Sequence, residues 1–246
     1  MRRGPAALKR ALDRAERLVP ADRIVAVLCR ESARQCEAVL APAPAVTKIV
    51  QPAYRGSAAE LFLPALLVAR RDPDAAIVAL RADESADGRV STCLTKALRA
   101  LELRPDLTVL VGARPRTARA IDGFVEPGSP LPGLEDLAVH AIRRFVYDAP
   151  RDLAATDLLV PAALAARARS LVVLGRRFIP DVLETLEPLE GVAGTLEATL
   201  LCEAVYECMP YASLSRELLE RVRDVAVLPV PEALVDTGEA AAHLAS

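Results

Sequence analysis

The chain has 246 residues, of which 52% are apolar, and its formal net charge is -2. This composition is typical of a globular protein and gives no electrostatic preference for nucleic acid or an anionic membrane. We therefore expect no nucleic acid and no membrane among its partners, and we expect a cytoplasmic location.

Two further counts exclude classes of chemistry. With only two histidines, His140 and His243, a His-based catalytic triad is not expected. The five cysteines are odd in number and lack the close paired spacings of zinc sites or disulfide frameworks, so reduced thiols are expected.

Strand and helix patterns alternate through the first half of the chain. Apolar residues at helical spacing predict helices over 6–18, 32–40, 57–71 and 90–103. Short apolar, β-branched runs between them predict buried strands at Arg23–Cys29, Thr47–Gln51, Ala75–Leu80 and Leu107–Gly112. Such alternation is typical of a mostly parallel sheet flanked by helices.

The second half has a different pattern. Leu137–Asp148 predicts a longer strand, residues 153–208 are mainly helical in pattern, and Val225–Pro231 predicts a closing strand. The Pro- and Gly-rich stretch 125–133 predicts a loop. No linker marks a boundary, so we expect one domain over 1–246, with the core sheet in 1–150 and a helical portion plus closing strand in 151–246.

The carboxyl ends of the predicted strands are where a ligand is expected in an open parallel sheet. After the second strand, "QPAYRGSA" offers the Arg55 guanidinium and the backbone N–H groups of a helix start to an anion or a nucleobase. The alternative is an ordinary strand-to-helix turn with Ser57 as N-cap. After the third strand, Asp83 could bind a divalent cation together with Asp236, or lie in a solvated turn.

Several segments resemble the sugar-nucleotide pyrophosphorylases, and most closely the mannose-1-phosphate guanylyltransferases. "VQPAYRGSAAELFLPAL" is similar to the family's Gln-Pro-x-x-Arg-Gly-Thr-Ala base-recognition segment, and "ALRADES" stands where the family has Pro-Ser-Asp-His. "IDGFVEPG" resembles its sugar-binding stretch, "RRFVYDAP" its Arg-Phe-Val-Glu-Lys-Pro motif, and "VLPVPEALVDTG" its closing Gly-Trp-x-Asp-x-Gly. The resemblance spans nearly the whole chain.

The resemblance implies a Rossmann-like, GT-A-like α/β nucleotidyltransferase fold and a reaction. In that reaction the phosphate of mannose 1-phosphate attacks the α-phosphorus of GTP, and GDP-mannose and pyrophosphate form with the help of Mg²⁺. It also implies three groups of site residues. These are Gln51, Arg55, Gly56 and Ser57 for the nucleotide, Gly123 and Glu126 for the sugar, and Asp83 and Asp236 for the metal.

Departures from the family pattern affect the phosphate site. The family opens with a strand and a Gly-Gly-x-Gly-x-Arg-Leu-x-Pro loop that holds the triphosphate, whereas these 246 residues contain no Gly-Gly pair. Asp148 also stands where the Glu-Lys-Pro motif has its lysine. We therefore expect a nucleotidyltransferase that is impaired on its own. The alternative is a catalytically silent nucleotide-binding or interaction protein that keeps the fold. As protein partners we expect either a second copy of the chain, in a homo-oligomer, or a complete paralogue.

Overall fold

The computed structural model describes residues 4–81, 88–114, 123–146, 158–191, 196–222 and 224–231. Within these ranges the α-helices are α1 (Pro5–Ala15), α2 (Arg30–Leu40), α3 (Ser57–Arg71), α4 (Gly88–Leu103), α5 (Ala168–Phe178), α6 (Pro180–Leu186) and α7 (Leu196–Cys208). The strands are β1 (Val25–Cys29), β2 (Thr47–Gln51), β3 (Ala76–Leu80), β4 (Thr108–Ala113), β5 (Phe124–Pro130), β6 (His140–Val146), β7 (Val160–Arg167) and β8 (Val225–Pro229). In the described part of the chain, every helix is too short or too polar to cross a bilayer.

The strands form two sheets. β1 and β2 pair in parallel as a two-stranded sheet, and the remaining strands form a six-stranded sheet in the order β3-β7-β4-β8-β6-β5. β3, β4, β5 and β8 run in one direction, whereas β6 and β7 run in the opposite direction and pair antiparallel with their neighbours. The predicted α/β fold class is confirmed, with two reversed strands in the sheet.

Two strands differ from the sequence-based prediction. β7 lies within residues expected to be mainly helical, yet it forms an inner strand between β3 and β4. β5 occupies the stretch expected to be a loop, and it contains Pro127 and Pro130. Proline is tolerated there because β5 is an edge strand, and irregular register accompanies both prolines.

The six-stranded sheet carries an apolar layer on each face. Along β4, Leu110 packs into the cluster formed with α3, α5 and α6, whereas Val109 and Val111 pack into the cluster formed with α4. This alternation follows from the period of two residues in a strand. A third cluster joins α1 and α2 to β1, so the N-terminal layer has a core of its own.

Candidate functional site

The predicted nucleotide-binding turn joins β2 to α3. Gln51 is the last residue of β2, Arg55 and Gly56 lie in the turn, and Ser57 begins α3. The structure places this turn against the end of α7 and the segment that follows it, residues 206–214. We call this contact between residues 51–58 and residues 206–214 the clasp.

Gln51 makes the buried contact of the clasp. Its side chain is 1% exposed, and its Nε2 donates a hydrogen bond of 2.9 Å to the hydroxyl oxygen of Tyr206, which is also 1% exposed. A buried amide without a partner would cost about 1–3 kcal/mol, so this bond stabilises the contact between β2 and α7.

Arg55 binds the C-terminal end of α7. Its Nε donates to the carbonyl oxygen of Tyr206 at 2.6 Å, and an Nη group donates to that of Glu207 at 3.2 Å. Carbonyl groups in the last turn of a helix have no partner inside the helix and carry partial negative charge. The guanidinium therefore acts as a C-terminal cap of α7.

Backbone groups complete the clasp. The Ala212 N–H donates to the Arg55 carbonyl at 3.1 Å, and the Ala58 N–H donates to the Ala212 carbonyl at 3.2 Å. Ser57 Oγ accepts a hydrogen bond of 3.0 Å from the N–H of Leu214. The hydroxyl of Ser57 therefore binds the segment 206–214, and the N-cap position of α3 is occupied by Gly56, which has no side chain to cap the helix.

The four residues predicted to bind a nucleotide are therefore brought together, and their polar groups have internal partners. The Gln51 amide, the Arg55 guanidinium and the Ser57 hydroxyl all hydrogen-bond to residues 206–214. A ligand that used the same groups would have to replace these bonds.

Two exposed tyrosines lie beside the clasp. Tyr54 is 54% exposed and Tyr211 is 65% exposed, and their rings meet edge to face with centroids 6.0 Å apart. The sequence did not indicate this pair, since its members are far apart in the chain and no local pattern connects them. Its geometry is a common one for aromatic side chains in contact.

The predicted sugar-binding residues lie at the β5 edge of the six-stranded sheet. Gly123 directly precedes β5, and Glu126 within β5 is paired with Arg143 and Arg144 of β6. The hydrogen bond from Arg144 is the main cause that holds the pKa of Glu126 below its ordinary value, with Arg143 contributing. Glu126 is therefore a carboxylate whose charge is already balanced by two guanidinium groups.

The predicted metal-binding residues Asp83 and Asp236 lie outside the described residues, as does Asp148. Among the residues that are described, His, Cys, Asp and Glu form no group of three that could hold a metal ion. All five cysteines are free thiols; Cys36 and Cys93 are buried, and Cys208 is exposed. Reduced cysteines and Mg²⁺ binding both stay predictions.

Tyr206 should make stability fall at alkaline pH. Burial raises the pKa of Tyr206 above its ordinary value of about 10, so above pH 10 the unfolded chain loses this proton while the folded chain keeps it. The unfolded state then binds fewer protons, and the free energy of unfolding falls as pH rises.

We expect this loss to be about 1 kcal/mol between pH 10 and pH 11, measured by urea unfolding. Tyr206→Phe should be less stable than wild type at pH 8, because Gln51 loses its acceptor, but its pH slope should be shallower. Tyr211→Phe, an exposed control, should keep the wild-type slope. Equal slopes for all three proteins would contradict the prediction.

Comparisons with known proteins were made for sequence and for structure. No protein-family model matches the chain, and no curated protein matches it. Among solved structures, the mannose-1-phosphate geranyltransferase from Thermus thermophilus matches 91% of this chain with a TM-score of 0.70 and 23% identity. This chain spans 64% of the length of that protein.

A second solved structure, the mannose-6-phosphate isomerase from Helicobacter pylori, matches with a TM-score of 0.69 and 11% identity. Here the match covers 92% of this chain and 90% of the other. Identities at this level show a shared fold. The α/β fold predicted from the motifs is thereby confirmed over nearly the whole chain.

Proposed function

We propose that this chain is a sugar-1-phosphate nucleotidyltransferase-type protein, with GTP and mannose 1-phosphate as the substrates of its reaction type, and that these 246 residues are impaired on their own. The observation that supports it is the fold match over 91% of the chain to a protein named for mannose 1-phosphate. The motif-like segments lie along that same chain, from the Gln51 turn to Glu126.

The proposed chemistry needs positioning and charge neutralisation more than a nucleophilic side chain. The phosphate of the sugar is itself the nucleophile. Pyrophosphate is the leaving group and carries the negative charge away. Mg²⁺ bound by Asp83 and Asp236 would neutralise phosphate oxygens. Gly123 and Glu126 are proposed to hold the sugar, with Arg143 and Arg144 fixing the Glu126 carboxylate.

Nucleotide binding at the clasp should be weak. The donors of Arg55 and Gln51 already have internal acceptors, so a nucleobase gains only the difference between its bonds and those it replaces. We expect a dissociation constant no tighter than about 0.1 mM for GTP, which corresponds to roughly 5.5 kcal/mol.

Isothermal titration calorimetry with GTP and GDP-mannose in the presence of Mg²⁺ tests this proposal. We expect saturable heat for wild type at millimolar ligand and none for Arg55→Ala. Arg176→Ala is the matched control, because Arg176 is an exposed arginine paired with Glu187 away from the clasp. Thermal unfolding of both variants should first establish that they are folded at the titration temperature. Binding that survives Arg55→Ala would place the nucleotide elsewhere.

A second candidate function is favoured by the clasp itself. In this candidate, the polar groups of residues 51–57 serve only to hold residues 206–214. The chain is then a catalytically silent protein that keeps the fold and acts by binding partner molecules. Absence of heat with GTP, GDP-mannose and mannose 1-phosphate alike, from a folded wild-type protein, would support this candidate and overturn the first.

A further inference from the structure

Two aromatic side chains lie in contact on the surface beside the clasp. Of the aromatic residues that the structure describes, Tyr54 and Tyr211 are exposed, whereas the others are buried or half-buried. Burying a large ring stabilises a folded protein, so aromatic side chains are usually covered. Two exposed rings that meet each other therefore form a surface feature that a ligand can use.

Hydrogen bonds of the clasp fix the backbone that carries both rings. Tyr54 directly precedes Arg55, whose carbonyl oxygen accepts a bond of 3.1 Å from the N–H of Ala212. Tyr211 directly precedes Ala212, whose carbonyl oxygen accepts a bond of 3.2 Å from the N–H of Ala58. The two segments are thus bonded to each other next to the rings. A ligand that binds the rings does not have to order this backbone, which lowers the entropic cost of binding.

The two rings form a corner. Their centroids are 6.0 Å apart and their planes are inclined by 70°. A flat ring can lie parallel to one tyrosine and direct its edge toward the other, and both arrangements are favoured between aromatic rings. We call Tyr54 and Tyr211 the tyrosine corner.

The tyrosine corner adjoins the polar groups predicted to bind a nucleotide. In the sequence Tyr54 lies between Gln51 and Arg55, whose donors already bond to Tyr206 and Glu207. The face of a ring is not a hydrogen-bonding group of the clasp, so a base can stack on it while these bonds stay intact. Every nucleobase has a π-face that can stack in this way.

We propose that the base of a nucleoside triphosphate stacks on the tyrosine corner. The class of ligand rests on the function proposed above, whereas the stacking surface rests on the two exposed rings and their geometry. Stacking is tolerant of base identity. The corner therefore contributes affinity without selecting the base, and its contribution is the same for GTP and ATP.

NMR of the tyrosine rings tests the contact directly. The chain has four tyrosines, so labelling tyrosine with ¹³C in the ring gives a simple spectrum, and Tyr54→Phe and Tyr211→Phe identify the two signals of the corner. We expect GTP and ATP to shift both signals saturably. The signal of the buried Tyr206 should move little, because its bond with Gln51 is retained. Inorganic triphosphate, which lacks a base, should leave the corner signals unchanged.

Variants of the corner test its contribution to affinity. Tyr54→Leu and Tyr211→Leu each remove one ring and keep an apolar side chain, and the remaining tyrosine of the pair reports binding by NMR. We expect both variants to bind GTP and ATP at least about fivefold more weakly than wild type, by the same factor for the two nucleotides. The matched Tyr54→Phe and Tyr211→Phe variants keep the ring and should retain the wild-type affinity. Both positions are exposed, so all four variants should stay folded, which thermal unfolding checks.

The outcomes separate this proposal from the proposed function. GTP binding that depends on Arg55, with unchanged corner signals and unchanged affinity in the leucine variants, would overturn the corner and leave the proposed function standing. Corner signals that shift with mannose 1-phosphate or with inorganic triphosphate would assign the rings to the sugar or the phosphates, and would overturn stacking of the base. No binding of either nucleotide to the folded wild-type protein would overturn both proposals.

Discussion

Replacing Gly56 with alanine should lower the free energy of unfolding by about 4 kcal/mol, or prevent folding, through backbone strain and a steric clash. Gly56 has φ 92° and ψ 167°, a backbone region that is essentially confined to glycine. A Cβ at this position would lie 2.1 Å from the carbonyl oxygen of Ala212 and 2.7 Å from its carbonyl carbon. Both are backbone atoms of the clasp, so they cannot move aside without breaking its hydrogen bonds.

Gly133 provides the matched control. It also has a positive φ, 80°, but a Cβ there would have no neighbour within 4 Å. Gly133→Ala therefore introduces the backbone strain alone and should lose about 1–2 kcal/mol. Urea unfolding followed by circular dichroism measures both variants. Similar losses for the two would show that residues 206–212 do not pack tightly on the turn.

Local patterns were sufficient for much of the fold. The strand predicted at Thr47–Gln51 and the helix predicted at 57–71 have the observed bounds of β2 and α3. In this region a β-branched run, a proline, a glycine and then apolar residues at helical spacing follow one another, and each signal agrees with the next. For β2 and α3, the local sequence signals alone predict the observed bounds.

The missed strand β7 shows what local patterns omit. Its sequence, "VPAALAAR", is rich in alanine, a residue that favours helices and is uncommon in strands. In the structure Ala162, Ala165 and Ala166 are at most 1% exposed, because β7 is an inner strand covered on both faces. Burial and pairing with β3 and β4 decide its conformation, and neither is visible in so short a stretch of sequence.

The turn after β2 shows why the site was harder to predict than the fold. An arginine, an amide and a hydroxyl beside a helix start have the same donors whether their partner is a nucleotide or another part of the chain. Here the partners in the described structure are Tyr206, Glu207 and Leu214, which lie in the last quarter of the chain. Nothing near residue 51 could indicate them.

Catalytic turnover can be predicted more firmly than nucleotide binding at the turn, because the transferred phosphate groups need hydrogen-bond donors of their own. With GTP, mannose 1-phosphate and Mg²⁺, we expect these 246 residues to release pyrophosphate at a rate at least about 10⁴ below that of a complete enzyme of this reaction type. Each lost donor to a transferring phosphate costs about 10²–10³ in rate, and the proposal implies at least two such losses. These 246 residues contain no Gly-Gly-x-Gly-x-Arg loop, and Asp148 stands where the motif that it resembles has its lysine.

A coupled assay for pyrophosphate, run on folded wild-type protein, measures this rate. Asp148→Lys should not restore turnover by itself, because one cation does not replace the backbone donors of a phosphate loop. Any release that is due to this chain should disappear in Asp83→Asn, since that carboxylate is proposed to bind Mg²⁺. Rapid GDP-mannose synthesis that depends on Asp83 would overturn the impaired-enzyme interpretation. That result would require a phosphate site built from other residues. Arg81, directly after β3, would then be the first residue to test by mutagenesis.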